Sequence, residues 1–240
     1  MSELHLPLLG YEPDAPFPDT RDALLHPNGL LAWGGDLSPA RLLNAYRLGI
    51  FPWYSDDEPI LWWSPAPRCV LFPETVHLSR RTRRRYNSGG YTITADTAFS
   101  RVIAACAAPR KPGDGTWITG EMQSAFELLH ELGHAHSVEV WREGLLVGGV
   151  YGLALGRMFF GESMFNRQTD ASKIGLVALC KQLQEWDFRL FDCQVPNPHL
   201  KSMGAVVIPR AQFEKKLRFG ISQPFRIGAW TDFFTVKYPW

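Results

Sequence analysis

The chain has 240 residues, 45% of them hydrophobic and 20% charged, a composition that fits a folded protein and excludes a disordered one. The 25 Lys and Arg residues against 24 Asp and Glu residues give a net charge of +1, so any attraction to nucleic acid must come from a local patch. No apolar run reaches the roughly 18 residues of a membrane span, and the N-terminus lacks the pattern of a secretory signal. The four cysteines are widely spaced and predict reduced thiols in a cytoplasmic protein.

The first third of the chain is rich in proline, since 11 of the 18 prolines lie in the first 73 residues. This composition predicts many turns and little sheet interior. One helix is well marked, with Ser38 as its cap, Pro39 at its first position and Gly49 at its end. The following stretch, residues 50–68, contains three tryptophans and is expected to be loop-like, with its rings in a core or a pocket.

A dense basic block follows this region. It consists of Arg80, Arg81, Arg83, Arg84 and Arg85. A charge run is commonly a solvated helix face, but like charges one helical turn apart repel each other. A polyanion would relieve that repulsion, because no acidic residue lies nearby in the sequence. The block is therefore a candidate phosphate-binding surface, with the solvated face as the alternative.

Apolar periodicity predicts the elements that follow. Asp96 is expected to cap a helix through residue 106, and a second helix covers residues 122–129. The period then changes to that of strands, with three predicted at residues 137–141, 145–151 and 157–163. The rest reads as a long helix at about 171–186, a strand at 189–195, a short helix at 198–204 and a last strand at 205–209.

This order of elements predicts an α+β architecture, a mixed sheet flanked by helices. It resembles the acetyltransferase-like (GNAT) fold, in which an acyl donor meets an amine where two central strands diverge. A resemblance of fold alone says little about function.

The segment His130–His134 has the letters of the zinc-peptidase motif H-E-x-x-H. That mechanism needs both histidines on one continuous helix with the glutamate between them as base. Gly133 interrupts the helical pattern before the next strand, so it is expected to be a C-cap with His134 beyond the helix. The motif is therefore interpreted as a helix terminus, where histidine is favoured by the helix dipole.

Three polar residues lie on otherwise apolar strands. Asp192 and Gln194 would project to the same face of a regular strand, near its C-terminal end. Open α/β layers usually keep their ligand crevice at this end, although a buried hydrogen-bonded pair is the alternative. Glu162 lies among apolar neighbours, and a carboxylate there is either paired or functional.

Seven sequence blocks resemble the signature blocks of bacterial leucyl/phenylalanyl-tRNA–protein transferases. They are GLLAWGGDLSPARLLNAYRLGIFPWY, LWWSPAPRCVL, GTWIT, HELGHAHSVEVW, LVGGVYGLALGRMFFGESMF, DASKIGLVAL and FDCQVPNPHLKSMGA. The blocks occur in the expected order between about residues 28 and 210, whereas the first 20 residues and the tail after Phe213 show no such resemblance.

The resemblance implies an enzyme that moves Leu or Phe, less often Met, from aminoacyl-tRNA to the N-terminal α-amine of proteins starting with Arg or Lys. The product would be marked for N-degron proteolysis. The expected partners are aminoacyl-tRNA and acceptor proteins, without a membrane, a metal or a cofactor, and the enzyme is expected to be a cytoplasmic monomer. A small Pro-rich N-terminal domain at residues 1–66 would precede a GNAT-like catalytic domain at residues 67–240.

The resemblance also implies roles for individual residues. In the family, the positions matching Asp192 and Gln194 are proposed to act together on the incoming amine, and Glu162 matches a carboxylate that would attract the cationic acceptor. Because a neutral amide is a poor proton acceptor, Gln194 is expected to orient the amine, while Asp192 fixes and polarises that amide and takes up developing charge. The expected substrate-binding residues are Trp53, Val150, Phe159 and Met164 around the aminoacyl side chain, Trp117 under the terminal adenine, and Asn197. Arg80, Arg81, Arg83, Arg84 and Arg85 would contact tRNA phosphates.

Three alternative functions make different demands on the sequence. An N-acyltransferase that uses a thioester cofactor should have a Gly-rich pyrophosphate turn before the long helix, but residues 166–171 contain no glycine. A zinc peptidase would depend on the interrupted His130–His134 motif. A non-catalytic RNA-binding module would use the arginine block and leave Asp192 and Gln194 without a role.

Overall fold

The computed structural model describes residues 6–12, 15–109 and 116–236. Within these residues there are two sheets and seven α-helices. The smaller sheet contains β1 (Leu8–Leu9), β2 (Leu30–Gly34), β3 (Phe51–Pro52) and β4 (Leu61–Trp63), in the order β1-β2-β4-β3. The larger sheet contains β5 (Arg68–Leu71), β6 (Tyr91–Ala95), β7 (Ala135–Arg142), β8 (Leu145–Leu155), β9 (Met158–Asn166), β10 (Leu190–Gln194) and β11 (Val206–Ile208), in the order β11-β5-β10-β9-β8-β7-β6. The helices are α1 (Pro39–Arg47), α2 (Arg80–Asn87), α3 (Phe99–Ala107), α4 (Gly120–Glu131), α5 (Ala171–Glu185), α6 (Pro198–Ser202) and α7 (Arg210–Ser222).

The larger sheet is mixed, as the sequence predicted. Strands β7, β8 and β9 form an antiparallel meander, and β10 pairs parallel to β9 after the crossover through α5. The first hairpin turn lies at Glu143 and Gly144, which have φ values of +52° and +74°, as expected for a two-residue hairpin turn. The prediction of an α+β chain with a mixed sheet flanked by helices is confirmed.

The prediction that residues 50–68 are loop-like is partly wrong, because two strands of the smaller sheet lie there. This stretch was expected to be loop-like, but it contributes β3 and β4, strands too short to show periodicity. Trp62 is fully buried, and its indole nitrogen donates to the carbonyl of Gly34 at 2.9 Å. The three tryptophans therefore do not share one environment, because Trp62 belongs to the core while Trp53 is 42% exposed.

Helix α1 begins and ends as predicted, and it packs against strands of both sheets. The Ser38 side chain caps it, and Gly49 follows it with a φ of +76°. Tyr46 on its buried face contacts the rings of Phe126 and Phe160 edge-on, at centroid distances of 6.5 and 5.2 Å. Buried side chains of both sheets thus belong to one hydrophobic cluster. The boundary at residues 66 and 67 stays a prediction.

The His130–His134 segment has the predicted helix end. Helix α4 stops at Glu131, and Gly133 has a φ of +78°, where the backbone of Gly228 leaves no room for a side chain. His134 lies beyond the helix, so the two histidines do not share a helix face. His130 instead stacks on the ring of Phe99 at 4.2 Å.

Asp96 does not cap α3, so that prediction is wrong. The N-cap is Ala98, which makes no side-chain cap, whereas Asp96 accepts a hydrogen bond from the backbone of Ser137 at 2.9 Å. Its other oxygen lies 2.8 Å from Nδ1 of His136 and accepts from the backbone of Trp230 at 2.8 Å. Burial opposes ionisation of Asp96, but these hydrogen bonds hold its pKa below the ordinary value.

The segment after α7 packs through aromatic rings. Trp230 is fully buried and stacks on His136 with ring centroids 3.8 Å apart and an interplanar angle of 6°. It also contacts Phe159 at 5.9 Å and Trp186 at 5.0 Å. These contacts anchor the segment to the larger sheet and to α5, an arrangement that no sequence pattern indicated.

All four cysteines lie within the described ranges. Cys69, Cys180 and Cys193 are buried, Cys106 is half-buried, and none of the four forms a disulfide. Among the helices of the described ranges, none has both the length and the apolar composition that crossing a bilayer requires.

Replacing Trp230 with Ala should lower the free energy of unfolding by about 3–5 kcal/mol, since a fully buried ring is removed from a packed cluster. The matched control is Ile227→Ala in the same segment, where the side chain is 64% exposed and a change within about 0.5 kcal/mol is expected. Urea unfolding of both variants measures the difference. Equal losses would mean that the segment is not anchored through Trp230.

Candidate functional site

A cavity of about 990 Å³ lies beside the ends of β9 and β10, with walls from β3, α3, β8 and α6. Seven of the predicted site residues line it: Trp53, Trp117, Val150, Glu162, Met164, Gln194 and Asn197. They come from segments more than 140 residues apart in the chain, as Trp53 and Asn197 illustrate. The fold thus brings an apolar wall and a few polar groups into one concave space, the usual form of a small-molecule site.

Phe159 is a correction to the predicted aminoacyl pocket. Its side chain is fully buried and does not line the cavity. It packs instead behind Phe191, which does line the cavity, with ring centroids 5.1 Å apart. Phe159 therefore supports the wall without being part of its surface.

The end of β10 departs from regular strand geometry. The register with β5 shifts between Asp192 and Gln194, and Gln194 has a φ of +62°, in the left-handed region. The prediction that Asp192 and Gln194 project to one face is therefore wrong. Cys193 and Gln194 both line the cavity, whereas Asp192 is fully buried and outside the lining. A bulge of this kind redirects a side chain at the end of a strand.

Glu162 holds the side-chain amide of Gln194. Nε2 of Gln194 donates to Oε1 of Glu162 at 2.9 Å, and the Tyr46 hydroxyl donates to the same oxygen at 2.6 Å. The prediction that Asp192 fixes this amide is wrong, because Asp192 contacts the backbone N–H of Gln194 at 2.9 Å. The amide oxygen is the acceptor of the Gln194 side chain, so it is the atom that can accept a hydrogen bond from an incoming N–H.

Burial raises the pKa of Glu162 to about 8, and the nearby charge of Asp192 adds to the effect. The hydrogen bonds from Tyr46 and Gln194 favour the ionised form but do not offset burial. Oε2 is buried and has no hydrogen-bond partner within the described residues. Because Oε1 accepts two hydrogen bonds, a proton on this carboxyl belongs on Oε2. A carboxyl with this pKa is mostly neutral at pH 7.

Asp192 forms a buried ion pair with Arg68. Nε and Nη2 of Arg68 donate to the two carboxylate oxygens at 2.8 and 2.7 Å. Arg68 is 1% exposed and Asp192 is fully buried. Both oxygens of Asp192 thus accept hydrogen bonds from Arg68, and Asp192 lies outside the cavity lining, so its predicted effect on developing charge would act through its electrostatic field and stays a prediction.

The arginine block forms most of α2, which begins after the capping side chain of Ser79. Four of its arginines are exposed to solvent, namely Arg80, Arg81, Arg83 and Arg84. Arg85 is half-buried and pairs with the carboxylate of Asp170 at the start of α5. The expectation concerned acids nearby in the sequence, whereas Arg85 is neutralised by an acid that lies 85 residues away in the sequence.

Two family models match consecutive parts of the chain. The model described as leucyl/phenylalanyl-tRNA protein transferase matches residues 70–218, and the model of its N-terminal domain matches residues 35–66. The chain belongs to the leucyl/phenylalanyl-tRNA–protein transferase family. It is accordingly an aminoacyltransferase.

Close relatives carry the same description. The leucyl/phenylalanyl-tRNA–protein transferase of Stutzerimonas stutzeri (strain A1501) is 58% identical over 211 residues, which cover 88% of this chain and 93% of that protein. That of Xanthomonas axonopodis pv. citri (strain 306) is 55% identical over 229 residues, covering 95% of this chain and 92% of that protein.

Among solved structures, similarity is much weaker. A ribosomal-protein-alanine N-acetyltransferase from Brucella melitensis biovar Abortus 2308 is 15% identical, covers 62% of this chain and 100% of its own, and has a TM-score of 0.34. L-PGS from Bacillus licheniformis is 13% identical, covers 70% of this chain and 53% of its own, and has a TM-score of 0.38. Scores this low support no statement about function.

Some residues at or beside the candidate site were not predicted from the sequence. Arg68 and Tyr46 lie within the sequence blocks of the family, and Phe51 precedes Trp53 at the cavity wall. Tyr46 was recognisable as part of the buried face of α1, but nothing in the sequence indicated that its hydroxyl meets Glu162. The partners are 116 residues apart.

The raised pKa of Glu162 predicts a pH-dependent contribution to stability. The neutral carboxyl is favoured in the folded state, so its contribution is fully present below the unfolded pKa of about 4.5 and is lost as the pH rises through about 8. The free energy of unfolding of the wild type, minus that of Glu162→Gln, should fall by a few kcal/mol between pH 5 and pH 8, because glutamine mimics the neutral form.

Urea unfolding of both proteins at several pH values measures this difference. The exposed Glu74 provides a matched control, since Glu74→Gln should give a nearly constant difference over the same range. A constant difference for Glu162→Gln as well would show that the pKa of Glu162 is not raised by folding.

Proposed function

We propose that this transferase moves leucine or phenylalanine, and less often methionine, from aminoacyl-tRNA to the N-terminal α-amine of proteins that begin with Arg or Lys. The modified proteins would then be marked for N-degron proteolysis. The observation that carries the proposal is a cavity with an apolar wall on which Gln194 and Glu162 form a hydrogen-bonded pair. Membership of the family supports the same reaction.

The apolar wall suits an apolar amino-acid side chain such as that of Leu, Phe or Met. Trp53, Val150 and Met164 line the cavity together, and methionine adapts its shape to different ligands. Trp117 lies on the same surface, where an indole ring can stack on the terminal adenine of tRNA. Such stacking typically contributes about 1–3 kcal/mol per base.

Asn197 connects the cavity to α6. Its side-chain oxygen accepts from the backbone N–H of Leu200 at 2.8 Å and so caps this short helix. The amide nitrogen of Asn197 remains a donor that can bind a ligand at the cavity wall. Asn197 therefore supports the proposed site both by holding α6 in place and by offering a hydrogen bond.

The reaction needs little acid–base catalysis. The amine nitrogen attacks the ester carbonyl, a C–N bond forms, the ester C–O bond breaks, and the ribose oxygen leaves with a proton. A peptide α-amine has a pKa of about 7.7–8.0, so an appreciable fraction of it is already neutral near pH 7 to 8. Holding ester and amine together can contribute up to about 7–11 kcal/mol to lowering the barrier. Positioning is thus the main task of the site.

Glu162 and Gln194 have different roles toward the amine in the proposed reaction. The amide oxygen of Gln194 accepts a hydrogen bond from the amine and directs its lone pair toward the ester. Glu162 has a pKa of about 8, close to that of the amine, so a proton can pass between them at little free-energy cost. An approaching cationic N-terminus also favours ionisation of Glu162, which would release its proton to solvent as the acceptor binds and leave a carboxylate able to take a proton from the ammonium group.

The decisive experiment incubates the protein with leucyl-tRNA and either an Arg-starting or an Ala-starting peptide of otherwise identical sequence. Mass spectrometry should find one added leucine at the N-terminus of the Arg-starting peptide and none on the other. Absence of leucine from both peptides, or its addition to a side chain, would refute the proposed function.

The exposed arginines of α2 are proposed to bind tRNA phosphates. Replacing Arg80, Arg83 and Arg84 together with Ala should weaken tRNA binding, because each arginine that neutralises a phosphate releases counterions. A plot of log affinity against log salt concentration should become shallower by about 0.7–0.9 for each phosphate that the variant leaves unneutralised. Fluorescence titrations at several salt concentrations measure the slope.

Arg218→Ala is the control for this experiment, since Arg218 is an exposed arginine on α7 with side-chain exposure of 70%. Its salt dependence should equal that of the wild type. If the triple variant keeps the wild-type slope, α2 does not bind the phosphates.

A further inference from the structure

We propose that Arg68 is a positioning residue of the transfer reaction, which fixes Asp192 and, through Asp192, the backbone that presents Gln194 to the cavity. The inference rests on the proposed function, since it assigns Gln194 to the incoming amine. Arg68 itself lies outside the cavity lining, so its effect must pass through other residues.

The Arg68–Asp192 pair is too buried to be explained by stability alone. Arg68 is 1% exposed, Asp192 is fully buried, and two parallel N–H···O bonds of 2.8 and 2.7 Å join them. Removing two charges from water costs several kcal/mol per ion, and apolar residues of similar size are often equally stable in such places. The pair has a more specific role, because Asp192 also binds the backbone N–H of Gln194.

The pair holds a strained backbone. Oδ1 of Asp192, besides accepting from Arg68, accepts the backbone N–H of Gln194 at 2.9 Å. Gln194 has a φ of +62°, a conformation that costs a non-glycine residue roughly 1–2 kcal/mol. This hydrogen bond occurs at the point where β10 bulges and turns Gln194 toward the cavity. Asp192 thus stabilises the conformation that Gln194 needs, and Arg68 determines where Asp192 lies.

The guanidinium of Arg68 also lies over two aromatic rings. Its central carbon lies 4.9 Å from the ring centroid of Phe51 and 4.7 Å from that of Phe213. Phe51 belongs to β3 and lines the cavity, whereas Phe213 belongs to α7. A planar guanidinium can stack on such rings while its fork binds a carboxylate, and a lysine ammonium can do neither in the same way.

Loss of Arg68 should slow catalysis because the rate depends on where Gln194 lies relative to the reacting groups. A displacement of about 1 Å in a positioning group can cost about a hundredfold in rate. Losing the fork of Arg68 would free Asp192 and let the Gln194 backbone relax out of the left-handed region. The aminoacyl pocket would remain, because Arg68 does not line the cavity. Turnover should therefore fall while binding of leucyl-tRNA is kept.

The test compares Arg68→Lys with Arg41→Lys. Arg41 is also fully buried, but its guanidinium donates to the backbone oxygens of Gly10 at 2.7 Å and Glu12 at 2.5 Å, and it does not line the cavity. Both variants should unfold at lower temperature. At a temperature where both are folded, kcat for transfer to an Arg-starting peptide should fall about tenfold or more in Arg68→Lys and stay near wild type in Arg41→Lys.

The KM for leucyl-tRNA should change by less than about threefold in Arg68→Lys, because the expected loss lies in the transition state. Equal kcat values for the two variants would overturn the proposal, as would a loss confined to KM. If Arg68→Lys does not fold, Phe213→Leu removes one ring from the guanidinium and should lower kcat about two- to threefold. An unchanged kcat in that variant would also overturn it.

A double-mutant cycle tests the route through Asp192. Asp192→Asn keeps an oxygen for the Gln194 N–H but removes the charge that pairs with Arg68. If both residues act on one backbone conformation, the double variant should lose little more kcat than the worse single variant. Additive losses would contradict the proposed route.

The wild-type reaction separates this inference from the proposed function. A wild type that transfers no leucine refutes the proposed function. The inference has its own readout in a crystal structure of Arg68→Lys, in which Gln194 should leave the left-handed region. An unchanged φ of Gln194 in that variant would overturn the inference whatever the activity.

Discussion

The site depends on one irregularity, the bulge at the end of β10. A regular strand would send the side chains of Asp192 and Gln194 to the same face, and both would be either buried or exposed to a ligand. The bulge separates them, so that Asp192 is sealed with Arg68 while Gln194 reaches the cavity. Two polar residues separated by a single cysteine therefore lie in different environments, one in a buried ion pair and one at the cavity wall.

Gln194 is restrained by hydrogen bonds from both its backbone N–H and its side-chain amide. Asp192 accepts its backbone N–H, and Glu162 accepts its side-chain N–H. Glu162 is held in turn by the hydroxyl of Tyr46, which comes from α1 in the N-terminal part of the chain. In the proposed reaction, which depends mainly on positioning, such restraints reduce the conformational freedom that would otherwise be lost when the substrates bind. The N-terminal helix is thus part of the support of the site.

The sequence was sufficient for the elements whose periodicity extends over several turns or strand residues. Helix α1 with its cap, the meander β7–β9 and helix α5 could be predicted in this way. Strands β3 and β4 could not, because two or three residues rich in tryptophan and proline show no alternation. Helix α7 was not predicted either, and its buried face is narrow, with Phe213, Leu217 and Gly220 as its buried residues.

For the candidate site, seven of the nine residues that the resemblance indicated for catalysis and substrate binding do line the cavity, but their contacts were not predicted. The partners of the buried carboxylates come from far along the chain: Arg68 is 124 residues from Asp192, and Tyr46 is 116 residues from Glu162. Only the folded chain determines such pairs. Phe159 was misplaced because the resemblance, which assigned it to the pocket, does not distinguish the surface of a wall from the layer behind it.

That hidden layer has a consequence for how the enzyme can vary. From the cavity outward, the rings of Phe191, Phe159 and Trp230 follow one another at centroid distances of 5.1 and 5.9 Å. The last of these rings belongs to a segment that matches none of the sequence blocks of the family. A substitution at Trp230 would therefore remove support from Phe159 and, through it, from the Phe191 ring at the cavity wall, without replacing any side chain that lines the cavity.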